Sequence, residues 1–121
     1  MVVNHLSINE KPYENLQRFV NAGHEPWLLD ARAVAADYIM RMEKTPKEEW
    51  DVYALPLDPV QVEERRVVFR YSSKRRLGAT YFVVVRRFKW LLPLAKNWQS
   101  MIWIPSDVKI IQCHIESNRS K

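Results

Sequence analysis

The side chains able to act as nucleophiles, bases or metal ligands are few: His5, His24, His114 and Cys113, together with the carboxylates. The histidine separations match no common metal-ligand spacing. His24-Glu25 is followed by Pro26-Trp27-Leu28 and not by the rest of an H-E-x-x-H helix. A single cysteine excludes an intramolecular disulfide and a cysteine-cluster zinc site. Cys113 and His114 are adjacent, so on a strand they face opposite sides and cannot form a nucleophile–base pair. Sharing a side with Ile111 and Ile115, Cys113 reads as a small core residue. Gly23 and Gly78 lie far apart. That excludes a phosphate-cradling loop and a dinucleotide turn, which need several glycines within a few residues, and no serine has the glycines of a nucleophile elbow. Asp30 and Asp37 can share a helix face, but at a separation of about 10 Å along the axis. What remains is general-base chemistry by His24 or Asp37 in a pocket between helix and sheet, of the kind a small lyase or isomerase uses. No catalytic set, metal or cofactor is expected, and a non-enzymatic protein is the favoured reading.

The distribution of charge is more distinctive. Residues 1–64 hold 12 acids and 6 bases, whereas residues 65–106 hold no acid and ten bases: Arg65, Arg66, Arg70, Lys74, Arg75, Arg76, Arg86, Arg87, Lys89 and Lys96. The net charge of +5 conceals this asymmetry. If the segments around Tyr71 and Ala79 form a hairpin with those two residues opposed, Glu64 faces Arg86 and Glu63 faces Arg87. Alternation then puts Val67, Phe69, Tyr71, Tyr81, Val83 and Val85 on one face and Arg66, Val68, Arg70, Phe82, Val84 and Arg86 on the other. The second face, extended by Lys74-Arg75-Arg76, reads as an anion-binding surface in which Phe82 could stack on a base. An acidic protein or a nucleic acid is the corresponding partner. The competing reading has these arginines paired with acids of the first 64 residues or keeping the sheet edge soluble. Trp90, Leu91, Leu92 and Leu94, around Pro93, form a candidate apolar patch for a homodimer. The five tryptophans, Trp27, Trp50, Trp90, Trp98 and Trp103, read as core and rim.

The elements that must position these groups follow from periodicity. Pro12 and Gly23 bracket a helix over 12–22 with Tyr13, Leu16, Phe19 and Val20 as its apolar stripe. Pro26 starts a second helix over 26–44, whose Trp27, Leu28, Ala31, Val34, Ala35, Tyr38, Ile39 and Met42 recur at period 3.6. Asp37 and Arg41 form an i,i+4 pair on its wet side, and Thr45-Pro46 ends it. From residue 62 the texture is β, with strands expected over 62–71, 79–88, 98–104 and 108–115; the first two are joined by Ser72–Gly78 and the last two by Pro105-Ser106-Asp107. A short strand near Val52–Leu55, interrupted by Pro56 and Pro59, is a further possibility. The whole is an α+β domain spanning 1–121, with N-terminal helices packed on a curved antiparallel sheet of about four strands.

No apolar run approaches the roughly 20 residues of a membrane span. The N-terminal segment lacks the basic start and apolar run of a signal peptide, so a cytoplasmic protein is expected; an exported domain whose leader lay upstream of Met1 is the alternative. In its order of elements the chain resembles the cystatin-like and nuclear-transport-factor-2-like α+β rolls, in which a bent antiparallel sheet wraps a long helix. The resemblance spans roughly residues 10–116 and carries no residue motif. It implies an association domain, a ligand-binding cone or a small dehydratase or isomerase, and it assigns no catalytic residue to this chain.

Overall fold

The computed structural model describes residues 2–113 of the chain. In order, the elements are β1 (Val2–His5), α1 (Glu10–Asn21), α2 (Ala31–Met42), β2 (Asp58–Val62), β3 (Arg66–Ser72), β4 (Ala79–Arg86), α3 (Leu92–Ala95) and β5 (Ile104–Gln112). Five strands, not about four, form one antiparallel sheet in the order β1-β5-β4-β3-β2. The fold is α+β, with α2 packed on β3, β4 and β5.

The first helix closes as its glycine suggests. Gly23 takes φ 93°, its N–H donates to the Val20 carbonyl, and the His24 N–H donates to Phe19. This six-to-one bond is the usual closure around a left-handed residue, and its accompanying side-chain contact is the His24 ring stacked on Phe19 at 4.4 Å. The apolar stripe is rotated from expectation: Phe19 is 48% exposed, and fully buried Gln17 takes the inward position. The polar inward residue is satisfied completely. Gln17 Nε2 donates to Asn21 Oδ1 at 3.0 Å and to the Ser100 carbonyl at 2.9 Å, while its Oε1 accepts from Ile102 N–H at 2.9 Å. Asn21 Nδ2 in turn donates to the Leu94 carbonyl, tying α1 to the segment around α3.

The long helix expected over 26–44 is divided. Pro26–Leu29 forms a 3-10 turn, Asp30 is extended, and the α-helix begins at Ala31. Asp30 explains the division, since its carboxylate accepts from Arg32 N–H at 2.9 Å and Ala33 N–H at 3.4 Å. A residue capping a helix lies outside it, so the periodic stripe crosses a boundary that periodicity alone does not register. Ala33, Ala35 and Ala36 are buried beside Val34, Ile39 and Met40, small side chains that let α2 lie close to the sheet. Its end is closed by Lys44 at φ 54°, with Thr45 N–H donating to the Met40 carbonyl at 3.0 Å.

The expected inner face is correct: Val67, Phe69, Tyr71, Tyr81, Val83 and Val85 are all buried. The pairing differs, with Tyr71 opposite Tyr81 and Arg66 opposite Arg86. The expected cross-strand pairs of Glu64 with Arg86 and Glu63 with Arg87 are therefore absent. The shift preserves face assignment because each side chain keeps its parity. The stretch read as one strand over 62–71 contains a tight turn, closed by Glu63 N–H donating to the Arg66 carbonyl at 2.8 Å. Val62 thus ends β2, which lies on the sheet edge where Pro59 costs no interior hydrogen bond. Residues 52–55 are not a strand, and β4 stops at Arg86 instead of running to 88.

The region after α3 departs furthest from expectation. Trp98–Ser100 is a 3-10 turn, capped by Asn97 Oδ1 accepting from Ser100 N–H at 2.9 Å, so 98–104 is not a strand. Pro105-Ser106-Asp107 is not a turn but part of β5. The register against β4 slips there, Val84 facing Asp107 and Val85 facing Pro105, which leaves Ser106 as the extra residue of a bulge. The expected strand over 108–115 is the latter part of β5, with positions 114 and 115 outside the described residues. Cys113 is exposed and not a core residue, because β5 ends before it. Among the described residues, no helix is long and apolar enough to cross a membrane.

Candidate functional site

The outer sheet face carries Arg66, Val68, Arg70, Phe82, Val84 and Arg86, joined by His5 of β1 and Asp107 and Lys109 of β5 around a shallow groove of about 370 Å³. Its cations are engaged within the chain. Arg66 Nη1 donates to Gln61 Oε1 at 2.6 Å and lies 3.8 Å from Glu63 Oε1. Arg70 Nη2 is 3.2 Å from Asp58 Oδ2, and Arg86 Nη2 is 3.8 Å from Asp107 Oδ2 while its Nε donates to Ser106 Oγ at 3.1 Å. Lys109 stands over the Phe82 ring at 5.6 Å. At the hairpin tip Arg75 pairs with Glu49. Three more arginines lie over aromatic rings: Arg65 at 3.9 Å from Trp98, Arg87 at 4.3 Å from Trp103 and Arg76 at 6.0 Å from Tyr81. Of the ten bases between 65 and 106, only Lys74, Lys89 and Lys96 lack such a partner among the described residues, and they lie on three separate loops. Four of the arginines, Arg66, Arg70, Arg75 and Arg86, are thus paired with carboxylates of the chain.

The polar network at the edge of this face centres on Asp107. Burial pushes its carboxyl upward, but hydrogen bonds from His5 and Ser106 and the charges of His5 and Arg86 outweigh that and hold it below its ordinary value. His5 Nδ1 and Ser106 Oγ both contact Asp107, on different oxygens. The hydroxyl donates to the acid and not to the imidazole, so this trio lacks the nucleophile–base contact of a hydrolase. Arg87, half-buried, is depressed by burial, an effect only partly opposed by Glu64.

The segment expected to self-associate is folded inward. Leu91 has no exposed surface, and Trp90, Leu92 and Leu94 are partly buried against the core, with Trp90 stacked on Phe88 at 5.8 Å. The chain reverses through Lys89–Leu91 and α3, which α1 covers. His24 lies on Phe19 and lines no part of the cavity that contains Asp37, so the two candidate bases are not brought together. His114 lies outside the described residues, and among those described no group of three potential metal ligands converges.

A cleft that sequence reasoning missed lies on the opposite side of the molecule's core, at the mouth between the helices. Two cavities of about 720 Å³ and 400 Å³ both touch Trp27, Asp37 and Arg41. The larger is lined further by Lys47, Trp50, Asp51, Val52 and Tyr53, and the smaller by Tyr13, Leu16, Tyr38, Ile102, Trp103 and Pro105, among others. Each wall has a local cause. The 3-10 turn begun by Pro26 presents Trp27, whose Nε1 donates to Glu25, and the turn is fastened to the far wall by Trp103 N–H donating to the Leu28 carbonyl at 2.9 Å. Helix α2 supplies Asp37 and Arg41 one turn apart, with Arg41 Nε donating to Asp37 Oδ2 at 2.8 Å. That hydrogen bond raises the Arg41 guanidinium above its ordinary value against the opposing effect of burial. The Asp37 side chain is 14% exposed and that of Arg41 66%, so the acid sits in the floor and the base stands at the rim. Arg41 lies 5.6 Å from the Trp50 ring centroid. Asp51 Oδ1 accepts from Tyr53 N–H at 3.0 Å, an Asx turn that sets the Tyr53 backbone. Burial pushes the Tyr13 and Tyr38 phenols upward, so both remain neutral hydroxyls at physiological pH.

The signal was present but divided: Trp27, Trp103, a helical ion pair and an irregular W-D-V-Y segment that begins at Trp50 come from separate parts of the chain, and only the fold joins them. No protein-family model, no curated protein and no solved structure matches the chain, and what this cleft does is read from its geometry.

Proposed function

We propose that the chain is a non-enzymatic binding domain whose ligand site is the aromatic cleft between α1, α2 and the loop that carries Trp50 and Tyr53. The observation that carries this reading is the junction of two cavities at Trp27, Asp37 and Arg41, with aromatic walls and one ion pair. Largely apolar concavities with a few convergent polar groups are the usual form of small-molecule sites. The walls favour a flat, ring-bearing molecule, because Trp and Tyr faces offer stacking area at low entropic cost. Non-enzymatic binding is favoured over a lyase because each carboxylate lining the cleft is hydrogen-bonded within the chain, Asp37 to Arg41, Asp51 to Tyr53 N–H and Glu25 to Trp27 Nε1. The arrangement is compatible with a cystatin-like or nuclear-transport-factor-2-like roll, and placement in that group is part of this proposal.

The test is a titration of uniformly ¹⁵N-labelled protein with 2-naphthalenemethanol, following the tryptophan indole N–H resonances. Trp27 and Trp50 should shift together and saturably, and Trp50→Ala should weaken binding about tenfold, the loss of one stacking face. Shifts confined to Trp90 and Trp98, or none at all, would refute the assignment.

A second reading concerns the outer sheet face. No helix among the described residues covers it, and half-buried Phe82 lies between buried Val68 and Val84 with charged side chains at the margins. That surface suits a protein contact, including a second copy of this chain, better than nucleic acid, since its arginines are held by carboxylates.

A further inference from the structure

Which polar group the cleft recognises follows from an account of the donors and acceptors around it. Each of its acids accepts one hydrogen bond within the chain, Asp37 from Arg41 Nε, Asp51 from Tyr53 N–H and Glu25 from Trp27 Nε1. Its bases are less committed. A guanidinium has five N–H donors, and Arg41 commits only Nε, leaving both terminal nitrogens without an acceptor among the described residues, on a side chain standing at the rim. Lys47 lines the same cavity, with no ion pair or side-chain hydrogen bond among the described residues. The Trp50 ring lies against Arg41 and lines the same cavity as Lys47, so a ring stacked on the tryptophans would bring its substituent to these donors.

We infer that the ligand is a planar ring system bearing an anionic oxygen group, carboxylate or phosphate, with the ring held by Trp27, Trp50 and Tyr53 and the anion by Arg41 and Lys47. The inference rests on the reading of the cleft as a ligand site and adds the charge of what it takes. Arg41 serves two acceptors at once: its inner edge holds Asp37 and its outer edge faces the ligand, so Asp37 positions the guanidinium. Planar two-nitrogen recognition of an oxyanion is the contact that arginine makes and lysine cannot.

Four probes with one ring separate the possibilities: 2-naphthoate, 2-naphthyl phosphate, 2-naphthalenemethanol and 2-naphthylmethylamine, titrated at pH 7 and fixed ionic strength. At least one of the two anions should bind about tenfold more tightly than the alcohol, and the amine more weakly than the alcohol. The tighter anion identifies the oxygen group. Lys47→Gln, which leaves the Asp37–Arg41 pair intact, should reduce the anion-to-alcohol ratio about threefold, and Arg41→Gln should nearly abolish it. Circular dichroism of each variant checks that the fold is kept, and the preference should shrink with added salt. Equal binding of anions and alcohol, or tighter binding of the amine, overturns the inference while leaving the ring site in place. Failure of all four probes to bind overturns both.

Discussion

Replacing Gln17 by leucine tests whether the cleft's inner wall is held by a polar clamp. Leucine is close in size and more apolar, so burial alone would make the change favourable by about 1 kcal/mol. The hydrogen bonds argue the other way. Ile102 is fully buried, and its N–H would lose the Gln17 oxygen as acceptor. A buried donor left without a partner costs about 1–3 kcal/mol, and the Ser100 carbonyl and Asn21 amide oxygen each lose a donor as well. The net expectation is a loss of about 2 kcal/mol in urea unfolding with an unchanged slope, or a fall in Tm of about 8 °C for a chain of this size. Gln17→Ala adds an unfilled cavity and should lose about 3–4 kcal/mol. Amide exchange at Ile102 should accelerate in both variants, and because Ile102 and Trp103 line the smaller cavity, probe binding should weaken too. A Gln17→Leu protein as stable as the parent would refute the clamp.

Three further outcomes follow. Asp107 has a folded-state pKa below its unfolded value, so its contribution is present above the unfolded value of about 3.9 and is lost as pH falls through the folded one; Asp107→Asn should therefore flatten the fall of the urea midpoint below about pH 4, and an unaltered acid limb would count against the His5–Asp107–Arg86 network. Asp30→Ala should cost about 1 kcal/mol and speed amide exchange at Arg32 and Ala33, the two donors it caps; unchanged exchange would mean the cap is not what starts α2. If the outer sheet face joins two copies, light scattering should show a dimer that Phe82→Ser converts to monomer, whereas a monomer at high concentration dismisses that reading.

The inner face of the hairpin was legible because alternation depends only on parity, and Val67 to Val85 survive a shift in register that moved every cross-strand pair. The helical stripe of α2 was legible for a similar reason, while its start was not: Asp30 interrupts the helix by a side-chain hydrogen bond, which leaves no mark on hydrophobic spacing. Prolines misled twice. Pro59 and Pro105 both lie in strands, the first at an edge and the second beside a bulge, where a missing N–H is tolerated. The basic segment was visible as composition, but the partners Asp58, Glu49 and Asp107 come from outside it, so the pairing of Arg70, Arg75 and Arg86 is a property of the fold and not of the run. The cleft was least legible. Its residues fall in a 3-10 turn, two helices, an irregular loop and the approach to β5, and no single period marks them as a group.

One consequence of the sheet order concerns the time course of folding. Val2 pairs with Ile110 and His5 with Asp107, so β1, synthesised before the other described strands, finds its neighbour only after β5, the last of them, has emerged. Until then the leading residues have no hydrogen-bonding template, and the margin of β4 that receives β5 is bare. The β2–β3–β4 meander can assemble from near neighbours, whereas the final seam spans nearly the whole described chain and is its slowest loop to close. Nascent-chain arrest before residue 104 would thus leave a helix-bearing three-stranded intermediate with β4 as an open border, the species on which a chaperone would act.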